Sequence, residues 1–369
     1  MAAPKETSSA EFSPSDPSDS RNNLLALFPR APEPKTELGR YRILSPTAGV
    51  RVSPICLGSM SVGDQWTSFM GGKAMDQAQS EEYLDEFYGA GGNFIDTANN
   101  YHDEQSEHII GEWMEKRGLR DSIVLATKYT TYTLNRKDQV FKGIGVNYCG
   151  NHKKSLRVSL ENSLRKLRTD YVDILYVHWW DHSTSIEELM QSLNALVQSG
   201  KVLYLGISDT PVSQANDQGQ WSIGLRDMER EIIPMCRHNR MAIAPYGVLG
   251  QGRFKTPEEM KSRSQIRGND PASEDELKLC AVLQEVANEL GGKYSLSNVA
   301  MAWTRQMMTD YGTYLTRLKA LKIKFTEEQM KKLSEASPFS HGFPTAGFGM
   351  DPRALEGGSP NTPLMNAVM

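Results

Sequence analysis

The chain has 369 residues, 41 Lys and Arg against 45 Asp and Glu, and a formal net charge of -4. This balance gives no reason to expect nucleic acid or an anionic membrane surface as a partner. Four widely spaced cysteines without a CxxC pair indicate a reducing compartment and no metal site. No apolar run reaches the ~18–20 residues of a membrane span, and no signal-peptide core is present near the N-terminus. We therefore expect a cytoplasmic protein.

The order of patterns along the chain predicts one folded domain between two tails. Residues 1–38 are rich in Ser, Pro and charge, so they cannot bury enough apolar surface and predict a disordered N-terminal tail. Two short strand-like stretches within 41–52 predict a β-hairpin. Short apolar strands then alternate with amphipathic helices as far as a strand at Met241–Tyr246, which predicts a parallel sheet covered by helices. Residues 341–369 predict a poorly ordered C-terminal tail, which leaves 39–340 as the domain.

Polar residues follow three consecutive predicted strands. Asp96 ends the first strand, and Tyr101 lies in the loop beyond it; the next two strands end at Lys128 and His178. Because the carboxyl ends of parallel strands lie at one edge of the sheet, these four side chains are expected to share a pocket.

The chemistry of these four residues is coherent. A free tyrosine titrates near ~10, and a nearby Lys128 ammonium favours the phenolate and lowers that pKa. Asp96 would hold the ammonium by a charge-assisted hydrogen bond, and His178 would orient a substrate oxygen. Such a set protonates a carbonyl oxygen as a hydride arrives at its carbon. Taken singly, each residue also has a simpler interpretation: a capping carboxylate, a surface phenol, a solvated lysine or a core histidine.

In the stretches that carry these four residues, and in several others, the sequence resembles the aldo-keto reductase superfamily. The similar stretches include G-N-F-I-D-T-A-N-N-Y, I-V-L-A-T-K-Y, T-D-Y-V-D-I-L-Y-V-H-W-W-D and A-P-Y-G-V-L-G-Q-G. The resemblance is closest to fungal aryl-alcohol dehydrogenases and norsolorinic acid reductases. It implies a TIM (β/α)8-type barrel and NADPH-dependent reduction of an aromatic aldehyde or ketone, in fungal secondary metabolism of the aflatoxin type. It also implies that Asp96, Tyr101, Lys128 and His178 are the catalytic tetrad, with Tyr101 as the proton donor.

The resemblance further implies a binding site for NADPH or NADP at the ends of several strands. Ser208, Asp209 and Gln218 would contact the nicotinamide carboxamide. Tyr246 would stack on the nicotinamide ring, and the glycine-rich loop after it would run along the pyrophosphate. Without the resemblance, that glycine pattern is typical of an ordinary turn. The complete set of expected cofactor residues is Gly58, Ser59, Met60, Asp96, Ser208, Asp209, Gln218, Tyr246, Gly247, Val248, Leu249, Gly250, Gln251 and Gly252.

Large aromatic residues lie in or next to the same strand-end loops. Trp66, Tyr129 and Trp179 would suit the walls of a pocket for a flat aromatic substrate. Ordinary packing explains them equally well, and the sequence leaves both interpretations open.

Two segments are shorter than in the family that the chain resembles. Only residues 210–217 stand where relatives have a helix and a sixth strand, and eight residues cannot hold a parallel crossover. Residues 309–314 stand where relatives have an eighth strand and the loop that grips the adenosine 2′-phosphate. We therefore expect an incomplete barrel that lacks strands 6 and 8. The alternative function is a truncated, catalytically impaired family member or a non-catalytic binding protein.

Overall fold

The computed structural model describes residues 28, 31–70, 74–133, 143–210, 219–261, 272–307, 318–337 and 339. Most of the predicted tail 1–38 and all of 341–369 lie outside these residues, so both tails remain predictions. Within the described part of the first tail, Thr36 caps a 3-10 helix at Glu37–Gly39, and Leu38 is buried. The chain therefore packs on the domain before residue 39.

The predicted β-hairpin is confirmed. Strand β1 (Arg42–Ser45) pairs antiparallel with β2 (Ala48–Val52). Leu44 and Val52 are buried and pack in one cluster with Phe94 of the sheet. The hairpin thus covers one end of the sheet with apolar side chains that would otherwise meet water.

A parallel sheet forms the centre of the described part of the molecule. Its strands lie in chain order and each pairs in parallel with the next. They are β3 (Cys56–Gly58), β4 (Phe94–Asp96), β5 (Val124–Tyr129), β6 (Val172–Val177) and β7 (Val202–Ile207). The helices that connect them are α1 (Gln77–Gly89), α2 (Gln105–Arg117), α3 (Lys153–Leu167) and α4 (Ile186–Gln198). This alternation of strands and helices is the one that the sequence predicted.

Local sequence explains where these helices begin and end. Asp76 and Gln79 form a capping box at the start of α1, and Ser185 caps α4. Helix α2 ends at Gly118, whose φ of 64° is the left-handed conformation that glycine adopts readily. The apolar side of α3, which includes Leu160, packs against the outer face of the sheet in the main core cluster. Burial of that face, more than helix propensity, stabilises these helices.

The second half of the described chain is mostly helical. Its helices are α5 (Ile232–His238), α6 (Pro257–Lys261), α7 (Glu274–Glu289), α8 (Leu296–Met307) and α9 (Glu327–Ala336). They surround a separate core cluster that includes Trp221 and Trp303. The predicted strand at Met241–Tyr246 is wrong, because its sole bridge to another described residue is the parallel one between Tyr246 and Gln220. No helix in the described ranges is long and apolar enough to cross a bilayer.

The strands of the described residues do not close into a barrel. Strand β3 lies at one edge of the sheet and β7 at the other. The apolar side chains of Leu203, Leu205 and Ile207 on β7 are 40–49% exposed. The two short segments that predicted the loss of strands 6 and 8 overlap residues 211–218 and 308–317, which lie outside the described residues. The described strands are thus the first five of a TIM-type arrangement.

Candidate active site

Strand register places Asp96 and Lys128 side by side. Asp96 pairs with Ala126, and Lys128 lies two residues further along β5, on the same face of the sheet. The Lys128 Nζ donates hydrogen bonds to Asp96 Oδ1 at 2.5 Å and to the Thr97 carbonyl oxygen at 2.7 Å. Lys128 is only 7% exposed. The ammonium is therefore fixed in one position by two acceptors.

The loop after β4 brings Tyr101 to the same place. The Lys128 Nζ lies 5.1 Å from the centroid of the Tyr101 ring. The Tyr101 and His178 rings meet edge to face, with centroids 6.0 Å apart. The structure thus brings the residues Asp96, Tyr101, Lys128 and His178 together at the carboxyl ends of β4, β5 and β6.

His178 contacts Thr131, a residue that the sequence did not indicate as part of the site. The backbone N–H of His178 donates to the Tyr129 carbonyl at 3.2 Å. The Trp179 Nε1–H donates to Thr131 Oγ1 at 3.0 Å, and this hydroxyl lies 3.4 Å from His178 Nδ1. A hydroxyl that accepts from the indole is free to donate its own proton to Nδ1. If Thr131 donates to Nδ1, the neutral His178 ring carries its proton on Nε2. No motif in the sequence pointed to Thr131.

Burial and charge set the protonation states of the site. Burial and the Lys128 cation lower the pKa of His178 to about 3, so the ring is neutral at physiological pH. Burial lowers the pKa of Lys128, but the negative charges of Asp96 and, once it is ionised, of Tyr101 outweigh burial and leave the pKa above its ordinary value. For the Asp96 carboxyl, burial has the opposite effect and raises the pKa, while the Lys128 cation offsets part of that rise.

The pKa of Tyr101 requires a correction. Lys128 was expected to lower it below the value of a free tyrosine. Burial is the larger effect and raises the pKa of Tyr101 above its ordinary value, while Lys128 offsets part of this rise. At neutral pH the phenol therefore keeps its proton, beside a cation that stabilises the phenolate once the proton has left.

The first group of expected cofactor residues follows β3 and lies next to Asp96. Gly58 ends the strand and is exposed. The buried Ser59 donates its backbone N–H to the Asp96 carbonyl at 2.8 Å, and its Oγ accepts from Ser106 at 2.9 Å. The Met60 carbonyl accepts from His102 Nε2 at 2.9 Å. The segment 58–60 is thus anchored at the edge of the site.

A second group of expected cofactor residues surrounds Tyr246. The backbone N–H of Ser208 donates to the Val177 carbonyl at 2.9 Å, which extends β7 at its carboxyl end. Asp209 has a left-handed φ of 36°, and its Oδ1 accepts from the Tyr246 hydroxyl at 3.3 Å. Tyr246 is 44% exposed, and the exposed part of its ring is a surface on which a planar group can stack. Gln218 lies outside the described residues.

The glycine-rich loop after Tyr246 turns sharply. Gly247, Gly250 and Gly252 have φ values of 72°, 58° and 86°. A Cβ added at Gly247 would lie 2.6 Å from the Gln220 side chain, so only glycine fits there. Val248 is buried and packs in the cluster of α8, so only its backbone is placed to face a ligand.

Leu249 and Gln251 are the remaining residues of this loop. Leu249 packs partly on the same cluster as Val248, and Gln251 donates its side-chain amide to Gln220 Oε1 at 3.4 Å. A turn lined by glycine backbone fits a pyrophosphate, and the exposed Tyr246 ring fits a nicotinamide. The described residues therefore suit the reactive half of NADP(H).

The three aromatic residues expected at the pocket behave differently. The Trp66 ring lies edge to face with Tyr101, with centroids 6.1 Å apart, and Trp179 is joined to His178 through Thr131. Tyr129 does not line the pocket. It follows Lys128 directly and therefore points to the opposite face of the sheet, where it is fully buried and its hydroxyl donates to the Asn151 carbonyl at 3.0 Å.

A separate cavity of about 730 Å³ lies away from this site. It is lined by β3, the end of α1 and the loop before α8, including Leu57, Phe87 and Tyr294. None of the tetrad residues lines it. Size alone would make it a binding-site candidate, but the convergent polar groups and shifted pKa values mark the other site as the chemical one.

Comparisons with known proteins identify the family. The profile of the Aldo/keto reductase family matches residues 54–337, more than three quarters of the chain. The chain belongs to this family. It is accordingly an enzyme of the oxidoreductase class, and NADP(H) is the cofactor that aldo-keto reductases use.

Relatives in fungi align over most of their own length. AAD14 of Saccharomyces cerevisiae is 48% identical, with 92% of this chain and 98% of that protein covered. The aryl-alcohol dehydrogenase (NADP+) of Phanerodontia chrysosporium is 46% identical over 88% of this chain and 93% of its own. Norsolorinic acid reductase A of Aspergillus parasiticus is 45% identical over 86% of each. The alignment with AAD14 runs over 373 positions, more than the 369 residues of this chain, so AAD14 has segments that this chain lacks.

A solved structure supports the fold. A thermostable aldo-keto reductase superposes with a TM-score of 0.57 and 23% identity, covering 80% of this chain and 99% of that one. At this identity the likeness concerns the fold alone. Together with the family match it establishes a TIM-type α/β barrel fold for this aldo-keto reductase.

Proposed function

We propose that this aldo-keto reductase uses NADPH to reduce an aromatic aldehyde or ketone to its alcohol, with Tyr101 as the proton donor. The observation that carries the proposal is the meeting of Tyr101, Lys128, Asp96 and His178 at one edge of the sheet. The names of the relatives in Phanerodontia and Aspergillus support an aromatic substrate and NADP. The Aspergillus relative also favours a role in fungal secondary metabolism of the aflatoxin type.

Tyr101 and Lys128 perform the proton transfer. NADPH supplies the hydride that reduces the carbonyl carbon when it is bound. The Tyr101 phenol, protonated at neutral pH, gives its proton to the carbonyl oxygen. The Lys128 ammonium, held by Asp96 and the Thr97 carbonyl, then stabilises the phenolate that remains. Lys128 therefore promotes the reaction by stabilising the Tyr101 phenolate that forms when the proton is transferred.

His178 orients the carbonyl. Its ring is neutral, and a hydrogen bond from Thr131 to Nδ1 would leave the proton on Nε2. A neutral imidazole N–H can donate to the carbonyl oxygen without competing with Tyr101 as an acid. Two donors, Tyr101 and His178, thus converge on one oxygen and fix its direction.

Residues at the neighbouring strand ends would hold the cofactor. Ser208, Asp209 and Gln218 are proposed to contact the carboxamide, and Tyr246 is proposed to stack on the nicotinamide. The backbone of residues 247–252 would run along the pyrophosphate. An aromatic substrate would lie between Trp66 and Trp179, which flank Tyr101 and His178.

The proposal is tested by the loss of NADPH absorbance with a panel of aryl aldehydes and with aliphatic aldehydes of matched size. We expect turnover that requires NADPH and is faster with the aryl compounds. Absence of turnover with every member of the panel would contradict an active reductase. Equal rates for aryl and aliphatic aldehydes would contradict the proposed aromatic pocket.

A second candidate is a family member with an impaired cofactor grip. It is favoured by the edge of β7, which no described strand pairs, and by the segments of AAD14 that this chain lacks. Titration of the purified protein with NADPH, followed by quenching of tryptophan fluorescence, separates the two. Micromolar binding would count against impairment, whereas binding only at millimolar NADPH would support it.

A further inference from the structure

The backbone directly after Tyr101 is unusual. Three consecutive non-glycine residues, His102, Asp103 and Glu104, have positive φ values of 49°, 52° and 78°. L-residues avoid this left-handed conformation because the Cβ approaches the backbone too closely. A run of three persists only where the surrounding structure holds it. The turn that positions Tyr101 is therefore stabilised from outside itself.

One side of this turn is held by Trp66. The backbone N–H of Trp66 donates to His102 Nδ1 at 3.1 Å, and its indole Nε1–H donates to Asp103 Oδ1 at 2.9 Å. The Trp66 ring also stacks on the His102 ring at 5.3 Å between centroids. These contacts hold His102 and Asp103, the first two left-handed residues. They do not involve Glu104, the third.

The other side of the turn is held by Lys166. This residue lies in the last turn of α3, yet its side chain is only 5% exposed. The Lys166 Nζ donates to Glu104 Oε1 at 2.9 Å and to the Asn99 carbonyl at 3.3 Å. These two acceptors lie on either side of Tyr101 in the chain. The ammonium thus bridges the two ends of the segment that carries the proposed proton donor.

The same ammonium is linked to the strand that carries Lys128. Lys166 Nζ lies 2.7 Å from Oε2 of Glu107, a fully buried carboxylate. Oε1 of Glu107 accepts from the Thr127 hydroxyl at 2.6 Å, and its Oε2 accepts from Ser163 at 3.2 Å. Thr127 precedes Lys128 directly. One buried cation therefore connects the turn of Tyr101 with the backbone of Lys128, from behind the sheet.

We propose that Lys166 is a positioning residue, which holds the left-handed turn 102–104 through Glu104 and the Asn99 carbonyl so that the Tyr101 phenol stays beside Lys128. This inference rests on the proposed role of Tyr101 as the proton donor. Nothing in the arrangement lets Lys166 touch the substrate, because it lies on the helix side of the sheet. Its effect on the reaction is therefore indirect and acts through geometry.

The first test is the variant Lys166→Met, which keeps the length of the side chain and removes its charge. We expect kcat for carbonyl reduction to fall by about 10- to 100-fold, since misplacing a reacting group by about 1 Å can cost that much. The KM values for NADPH and aldehyde should change by less than about threefold, because no binding residue is altered. The variant Glu104→Gln should lower kcat by less than Lys166→Met does. The double variant Lys166→Met/Glu104→Gln should have the same kcat as Lys166→Met alone, as expected for two residues of one network.

A matched control distinguishes positioning from a general loss of stability. Arg120→Met breaks another mostly buried ion pair, in which Arg120 Nη2 lies 2.8 Å from Asp173 Oδ2, on the same sheet but away from the tetrad. We expect this variant to lower the midpoint of thermal unfolding, as Lys166→Met does, while kcat of the folded protein stays within about twofold of the wild type. Equal losses of kcat in both variants would overturn the proposal.

A second measurement does not depend on turnover. The pKa of Tyr101 can be followed by NMR with 13Cζ-labelled tyrosine, in which the Tyr101 resonance is the one lost in Tyr101→Phe. Displacement of the phenol from Lys128 should raise this pKa in Lys166→Met and leave it unchanged in Arg120→Met. An unchanged pKa in Lys166→Met would contradict positioning even if the protein is inactive. Absence of all reductase activity with the expected pKa change would overturn only the proposed function.

Discussion

The two halves of the described chain differ in how they hold their part of the site. From β3 to β7 the strands pair continuously. At their carboxyl ends Lys128 is buried and hydrogen-bonded to Asp96, and the other three tetrad side chains are half-buried. From Gly219 onward, Tyr246 forms an isolated bridge with Gln220 and donates its hydroxyl to Asp209, and its ring is 44% exposed. The half that contains the tetrad is therefore preorganised, whereas the proposed nicotinamide and pyrophosphate contacts of the second half lie at Tyr246 and in the loop that follows it. Chemistry and cofactor affinity should respond separately to mutation.

The largest effect is expected at Lys128, in the preorganised half. Lys128→Met removes the cation that stabilises the Tyr101 phenolate, so kcat should fall by roughly 10²–10⁴-fold, the range that a positioned acid supplies. It also leaves Asp96 as a half-buried carboxylate without its cation, which should lower stability. Steady-state assays and thermal unfolding measure the two effects. In the double variant with Asp96→Asn, stability should recover while activity does not; recovery of both would show that Lys128 is only structural.

A core substitution compares the covered centre of the sheet with its open edge. Leu125→Ala on β5 empties a fully buried position and should cost about 2–5 kcal/mol of unfolding free energy. Leu205→Ala on β7 removes a side chain that is 40% exposed and should cost less than about 1 kcal/mol. Urea denaturation measures both. A similar cost at the two positions would mean that β7 is covered in solution.

The pH dependence of stability tests the environment of His178. Because the folded pKa of about 3 lies below the unfolded value near 6.5, the unfolded state binds more protons between these values. The contribution of His178 is therefore complete above pH ~6.5 and decreases by about 1.4 kcal/mol per pH unit as the pH falls toward 3. In His178→Asn this part of the slope of unfolding free energy against pH should disappear. The contributions of the carboxylates to the slope should stay unchanged. Parallel pH profiles for both proteins would place His178 in a solvated site.

The smallest effect is expected at the partly exposed Tyr246, in the second half. Tyr246→Ala should weaken NADPH binding by about 10-fold, because a stacked aromatic pair contributes roughly 1 kcal/mol beyond burial. At saturating NADPH, kcat should change by less than about threefold. Tyr41→Ala, which removes an exposed tyrosine beside the hairpin, is the control and should leave binding unchanged. A large loss of kcat in Tyr246→Ala would contradict the separation of chemistry from cofactor affinity.

The first half of the fold could be predicted from the sequence because its signals are local. Apolar runs followed by Asp96, Lys128 and His178 indicated strand ends, and parallel topology then placed them together. Tyr129 was misassigned because its orientation depends on the alternation along β5. The Met241–Tyr246 strand was wrong because a strand needs neighbours, and the described residues supply only Gln220.

The contacts behind the site could not be predicted. Lys166 in the last turn of α3 is typical of an exposed, helix-capping cation, and only the fold shows that it is buried between Glu104 and Glu107. Thr131 is likewise defined by its contacts with His178 and Trp179, which are distant in sequence. Such networks arise from tertiary packing, and a single sequence gives no periodic signal for them.

The most direct test of the account compares the wild-type enzyme with Tyr101→Phe in two assays on the same preparations. One follows NADPH oxidation with an aryl aldehyde, and the other follows NADPH binding by fluorescence. We predict that the variant binds NADPH as the wild type does but loses aldehyde reduction by at least about 100-fold. Retention of turnover in Tyr101→Phe, with NADPH bound, would show that another group donates the proton and would contradict the central claim.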